Sequence, residues 1–235
     1  MKYLDINTVD LGAETGADTA ESAMVHESRL AEFNARLREL PSGHDPLARV
    51  RLQLDMGRAL LALQRGAEAW NIAREAFDSC LTQRHPECAV EACDILFLAD
   101  QSGSLSALGQ GVWLAVTYPI DPELTVAMLQ HVVDETPLDA DGAAVAATVA
   151  AYVVDLRAEG KQRDELTFFA NQMLATVARH HSNVENQADF NTWMEQLELN
   201  DPSQFLPRLR NVVDVLVQDD WWIDRDALQA RLPVN

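Results

Sequence analysis

The tightest constraint on this chain is the spacing of its apolar residues. From Ala23 to Leu232 they recur at intervals of three and four, and the periodic stretches are separated by breaks of only a few residues. Apart from YLDINTVDL at residues 3–11, no stretch alternates with the period of two that a half-buried strand requires. Short breaks oblige successive helices to lie antiparallel as neighbours. The expected fold is therefore all-α: antiparallel helical hairpins stacked as a short irregular α-solenoid or bundle, with about ten helices. Composition agrees, because 10 glycines and 9 prolines among 235 residues are too few for the many turns of a sandwich or barrel.

The individual patterns carry their own punctuation. Residues 23–40 place Leu30, Phe33, Leu37 and Leu40 on one face, and residues 47–64 do the same with Val50, Leu54, Gly57 and Leu61. Residues 67–83 show a small stripe (Ala69, Ala73, Ala76, Cys80) beside a large one (Trp70, Phe77, Leu81), the pattern of a helix packed between neighbours. Pro86 suits the first turn of a helix reaching about residue 101. Residues 105–118 form a helix weakened by Gly109 and Gly111. Asp121 caps a helix that opens at Pro122, and Gly160 is expected in the C′ position closing residues 138–159. Within that segment AAVAATVAAYVV is apolar almost all round, the mark of a central helix. Residues 162–181 carry the widest apolar stripe, followed by shorter helices at 186–197 and 202–218 and a last one capped by Asp224.

Residues 1–22 read as an acidic, flexible tail, in which residues 3–11 could pair as a short strand or dock as a linear motif. Residues 23–235 read as one helical domain. With 37 acidic against 18 basic residues the net charge is −19, which keeps a chain soluble and repels nucleic acid and anionic membrane alike. No uncharged apolar run reaches the ~20 residues needed to span a bilayer. The first residues lack the apolar core of a signal peptide. Three cysteines, an odd number, fit a reducing compartment, so a cytoplasmic location is expected.

The segment MGRALLALQRGAEAWNIAREAFDSCL, within residues 47–83, resembles a tetratricopeptide repeat. Gly57, Ala69 and Ala76 fall at that family's small positions, and Leu60 at a large one, where close approach of the paired helices requires them. Gln53 and Ala73 depart from the pattern, Pro86 comes later than in the family, and the later hairpins fit it poorly. The resemblance implies that the first helix of the hairpin lines a peptide-binding groove with Arg51, Leu54, Arg58 and Leu61. Two arginines one to two turns apart could then clamp a partner's carboxylates. The competing reading is two solvated arginines, one of them paired with Asp55.

Three other constellations carry possible chemistry. His85, Cys88 and Cys93 form H-x2-C-x4-C, but two cysteines on one helix about 140° apart do not converge on zinc. Cys80 of the preceding helix could face Cys88 across the turn, and structural thiols are the favoured reading over metal or redox roles. His180 and His181 end a helix, where imidazole complements the helix dipole; Glu185 lies beyond the break, so metal or acid–base work is the lesser reading. Asp219-Asp220-Trp221-Trp222 either plugs the open end of the stack or presents Trp221 and Trp222 to a partner.

No dinucleotide, Walker, nucleophile-elbow or H-E-x-x-H motif is present. The expectation is thus a non-enzymatic protein-interaction module with no cofactor: an adaptor, scaffold or client-specific assembly chaperone that takes a basic or C-terminal peptide segment in a helical groove. Phe168, Phe169 and the tryptophan pair leave room for a homodimer. The alternatives are a helical bundle that binds a metal or cofactor, and a maturation chaperone for a redox enzyme, the latter resting on size and charge alone.

Overall fold

The computed structural model of the protein describes residues 2–4, 16–41, 43 and 45–230. Among them are eleven helices and no strand: α1 (Gly16–Glu39), α2 (Pro46–Ala62), α3 (Gly66–Thr82), α4 (Pro86–Leu98), α5 (Ser104–Thr117), α6 (Pro122–Glu135), α7 (Asp141–Arg157), α8 (Gly160–Ser182), α9 (Gln187–Gln196), α10 (Pro202–Val217) and α11 (Arg225–Gln229). The fold is all-α, as the spacing requires.

From α1 to α8 every helix packs against the next. The even helices also touch across the hairpins, α2 on α4, α4 on α6 and α6 on α8, so they form one layer of a two-layer stack. α3, α5 and α7 each pack between their two even neighbours, and α10 returns to lie on α5 and α7. No described helix is long and apolar enough to cross a membrane.

Helix starts follow the local chemistry. Asp45, Asp121 and Asp201 each precede a proline at the first helical position, and each side chain accepts a hydrogen bond from the first turn. Asp121 Oδ1, for example, receives the Glu123 and Leu124 amides at 2.8 and 3.3 Å. Helix ends are less orthodox. Gln64, Arg84 and Glu198 occupy the left-handed C′ position, with φ of 58°, 59° and 55°, where glycine is usual. Each still closes the Schellman pair of bonds; after α3 these are Arg84 N–H to Leu81 O (3.1 Å) and His85 N–H to Cys80 O (2.9 Å).

Gly160 is a correction to the expected punctuation. The chain leaves α7 in extended form at Ala158, and Gly160 (φ +52°) is already the first residue of α8. α1 begins at Gly16 rather than Ala23, so the expected tail boundary at residue 22 falls inside a helix. The strand-or-motif reading of residues 3–11 concerns mostly positions outside the described residues; only Tyr3 and Leu4 are seen.

The core runs through the length of the stack. α7 is buried almost all round from Ala143 to Ala150 because α6, α8 and α10 enclose it. α5 is enclosed by α4, α6 and α10 in the same way. Its two glycines are close-approach positions: a Cβ on Gly109 would sit 2.4 Å from Val217 Cγ2 of α10, and one on Gly111 would sit 2.7 Å from Cys93 Cβ of α4. Arg157 ties α7 to the end of α5 by donating to the Ala115 and Val116 carbonyls at 2.8 and 2.9 Å, satisfying acceptors that a helix end leaves open.

Candidate protein-interaction groove

The even-helix layer presents Arg58 from α2, Glu91 from α4 and Glu123 from α6. Residues 2–4 of the chain lie across all three. Glu123 Oε1 accepts the backbone N–H groups of Tyr3 (2.6 Å) and Leu4 (3.3 Å). The Tyr3 hydroxyl donates to Glu91 Oε1 at 2.7 Å, and Lys2 Nζ stands 3.3 Å from the same oxygen. Arg58 binds the other oxygen of Glu91. The Leu4 side chain is buried in the core cluster.

The electrostatics follow from partial burial. Burial opposes ionisation of Glu91, but hydrogen bonds from Arg58 and Tyr3 outweigh it and hold the carboxyl below the usual glutamate range. Burial likewise works against the Arg58 charge, and Glu91 more than restores it. Burial and the bond to Glu91 push the Tyr3 hydroxyl well above the ordinary tyrosine value, so it stays a donor. Glu123 sits in the first turn of α6 and is only 8% exposed. The result is a surface that holds residues 2–4 in two ways, by backbone N–H groups at Glu123 and by side-chain hydroxyl and charge at Glu91.

The groove residues expected from the repeat resemblance are distributed unevenly around this contact. Arg51 is exposed and makes no ion pair among the described residues. Leu54 is 2% exposed and belongs to the core. Arg58 is engaged by Glu91 and, at 3.5 Å, by Asp55, so it is not available as a bare clamp for a partner's carboxylate. Leu61 is half-buried at the edge of the core. Arg51 and Leu54 line a cleft of about 390 Å³ that continues past His85 and Cys88 to Glu91 and Ile120.

Trp221 and Trp222 are elsewhere. The Trp222 ring packs edge-on against Trp70 and Phe77 of α3, with centroids at 6.0 and 5.6 Å, and Arg74 lies 4.5 Å over it. Its backbone N–H donates to Gln110 Oε1 at 2.8 Å, while Gln110 Nε2 and Ser106 Oγ both donate to the Asp220 carbonyl. Trp221 packs edge-on against Trp113 under the Arg225 guanidinium, 3.9 Å away. Both rings are half-buried on α3 and α5, whereas the groove is built on α2, α4 and α6, so the tryptophan pair and the groove do not form one surface.

The histidine and cysteine constellations also separate. His181 is wedged between Asp141 (3.1 Å from Nε2) and Trp193, whose indole N–H donates to Nδ1 at 3.2 Å. His180 instead lines a cavity of about 420 Å³ with Phe169 and Met173, and Glu185 is exposed. Cys93 is fully buried and turned toward Gly111, away from Cys88. Among the described residues no three His, Cys, Asp or Glu side chains converge as metal ligands.

Sequence reasoning did not single out Glu91, Glu123 or Gln110. Glu123 looks like any first-turn acid, and Glu91 like any helix-surface one. Their partners, Tyr3 and Leu4, are far away along the chain. Comparison with known proteins finds no matching family model, no matching curated protein and no matching solved structure.

Proposed function

We propose that this chain is a non-enzymatic protein-interaction module, an adaptor, scaffold or client-specific assembly chaperone whose working surface is the groove over α2, α4 and α6. The observation that carries the reading is the seating of residues 2–4 on Arg58, Glu91 and Glu123. A surface that accepts two consecutive backbone N–H groups of its own chain and buries the Leu4 side chain has the chemistry to hold those of another. The preferred segment has a basic residue, then a hydroxylated aromatic, then an aliphatic one, because Glu91 answers the first two and the core answers the third. This suits a basic peptide partner better than an acidic one. The resemblance of residues 47–83 to a tetratricopeptide repeat supports the same surface, since it places Arg51 and Arg58 along it.

On this reading residues 2–4 are a built-in competitor that a partner must displace. The test uses the full chain with Tyr3→Ala, which weakens the internal contact, and a fluorescent peptide carrying residues 1–11. Polarisation should rise with this variant, less with wild type, and not at all when Glu91→Gln and Glu123→Gln are added. Equal, groove-independent binding by all three proteins, or none by the Tyr3→Ala chain, would remove the basis of the reading.

A further inference from the structure

α3 ends and α4 begins beneath the mouth of the same cleft, and the two helix ends bring Cys80 and Cys88 together. Both are free thiols, and their sulfurs lie 2.6 Å apart. The turn between them is pinned by the paired bonds from Arg84 and His85, so the approach is built into the helix ends. Packing of two structural thiols does not require one of them to face solvent. Cys80 has no exposed surface, whereas Cys88 is half-buried and lines the cleft of about 390 Å³ with Arg51, His85 and Glu91.

The pair is asymmetric. The Cys80 thiol donates its hydrogen bond to the Cys88 sulfur, and this bond above all lowers the Cys88 pKa below the ordinary thiol value. Burial and Glu91 act against that shift, and Arg51 and Arg58 act with it. The same bond, with burial, pushes the Cys80 thiol up. The outward sulfur is therefore the better thiolate and the inward one keeps its proton. Cys93 provides the contrast, since it is fully buried and burial raises its pKa.

We propose that Cys80 and Cys88 are a redox-active dithiol that exchanges with small-molecule disulfides reaching Cys88 through the cleft. The Cys88 thiolate attacks one sulfur of a disulfide RSSR, forming the mixed disulfide Cys88–S–S–R and releasing RS⁻. The Cys80 sulfur then attacks Cys88 Sγ, the S–SR bond breaks, and the second RS⁻ leaves. The proton of Cys80 passes to the released thiolate. Two protein thiols are oxidised to one disulfide, and RSSR is reduced to two thiol equivalents. The second step is intramolecular between sulfurs already in contact, so it outruns attack by a second small molecule. The product bond would tie the last turn of α3 to the first turn of α4, one turn ahead of Glu91. The dithiol site stands or falls independently of whether the groove takes a partner peptide.

The test is to incubate the reduced full-length chain with glutathione disulfide, quench with acid, alkylate after unfolding, and map the peptides. The expected product is an intrachain Cys80–Cys88 disulfide, with Cys93 the thiol left to alkylate. The Cys80→Ser chain should accumulate a glutathione adduct on Cys88, and the Cys88→Ser chain should gain none at Cys80. On the folded protein, iodoacetamide should modify Cys88 at least about tenfold faster than Cys93. Wild type that stops at the mixed disulfide, stays fully reduced where its unfolded form oxidises, or pairs through Cys93 would overturn the assignment. Because wild-type mapping needs no substitution, a variant that failed to fold would leave the decision intact.

Discussion

Replacing Gly109 by alanine sets two well-known effects against each other. α5 spans Ser104–Thr117, so Gly109 is in a helix interior, where alanine is favoured by about 0.8–1.0 kcal/mol. Against this, the added Cβ would lie 2.4 Å from Val217 Cγ2, 3.1 Å from Leu216 Cβ and 3.2 Å from the Val213 carbonyl oxygen. Carbon atoms prefer about 3.5–4.0 Å. A rotamer change at Val217 relieves only the first contact, because the other two are to a Cβ and a backbone atom. α10 must therefore back away from α5 by a few tenths of an ångström even after Val217 turns, at the roughly 1–3 kcal/mol typical of overpacking. The movement also pulls on the segment after α10, where Gln110 holds Asp220 and Trp222. Net destabilisation of up to about 2 kcal/mol is expected, a fall in Tm of up to several degrees for a domain of this size. Urea unfolding followed by far-ultraviolet circular dichroism measures it, and Val217→Ala on the same background should recover part of the loss. Gly142→Ala is the internal control: its Cβ would approach nothing nearer than Thr136 Cγ2 and Val212 Cγ2 at 3.4 Å, so stability should change by less than about 0.5 kcal/mol. A Gly109→Ala chain more stable than wild type by the full propensity gain of about 0.8–1.0 kcal/mol would refute the close-packed α5–α10 crossing.

Three further outcomes are expected. Glu91 has a depressed pKa in the folded chain, so its contribution is complete above the ordinary glutamate value of about 4.3 and is lost as pH falls through the lower folded value. The Tyr3 ring, whose hydroxyl donates to Glu91, should therefore shift its resonances toward those of an undocked side chain only in that acid window; a transition near neutrality would contradict the role given to Glu91. Gln110→Leu leaves the Trp222 amide without its acceptor and should cost about 1–2 kcal/mol while raising protease sensitivity around residues 219–224, whereas an unchanged cleavage pattern would show that the rings alone hold the segment. Arg84→Gly removes side-chain strain at φ 59° and should raise stability by about 0.5 kcal/mol after the extra entropy of glycine in the unfolded chain is counted, a change read as a small rise in urea midpoint.

By itself the amino-acid sequence determined the fold class, the helix order and most helix starts. Those are local properties: a three-to-four spacing buries one face, and an aspartate followed by proline caps a helix wherever it occurs, as at Asp45, Asp121 and Asp201. Helix ends were less legible, because Gln64, Arg84 and Glu198 take a left-handed position that no side-chain preference announces. Gly160 misled for the complementary reason, since glycine marks a positive φ without saying which helix owns it. Gly109 and Gly111 looked like weaknesses in α5, and only the packing of α10 and α4 against them shows that they are contact points. The tertiary structure alone decided the rest. It seated Tyr3 on Glu91 and Glu123, returned α10 to α5 and α7, turned Cys93 away, and set Cys80 against Cys88. Each of these depends on where distant parts of the chain meet, and the meeting is set by the summed burial of many helix faces, not by the residues that touch.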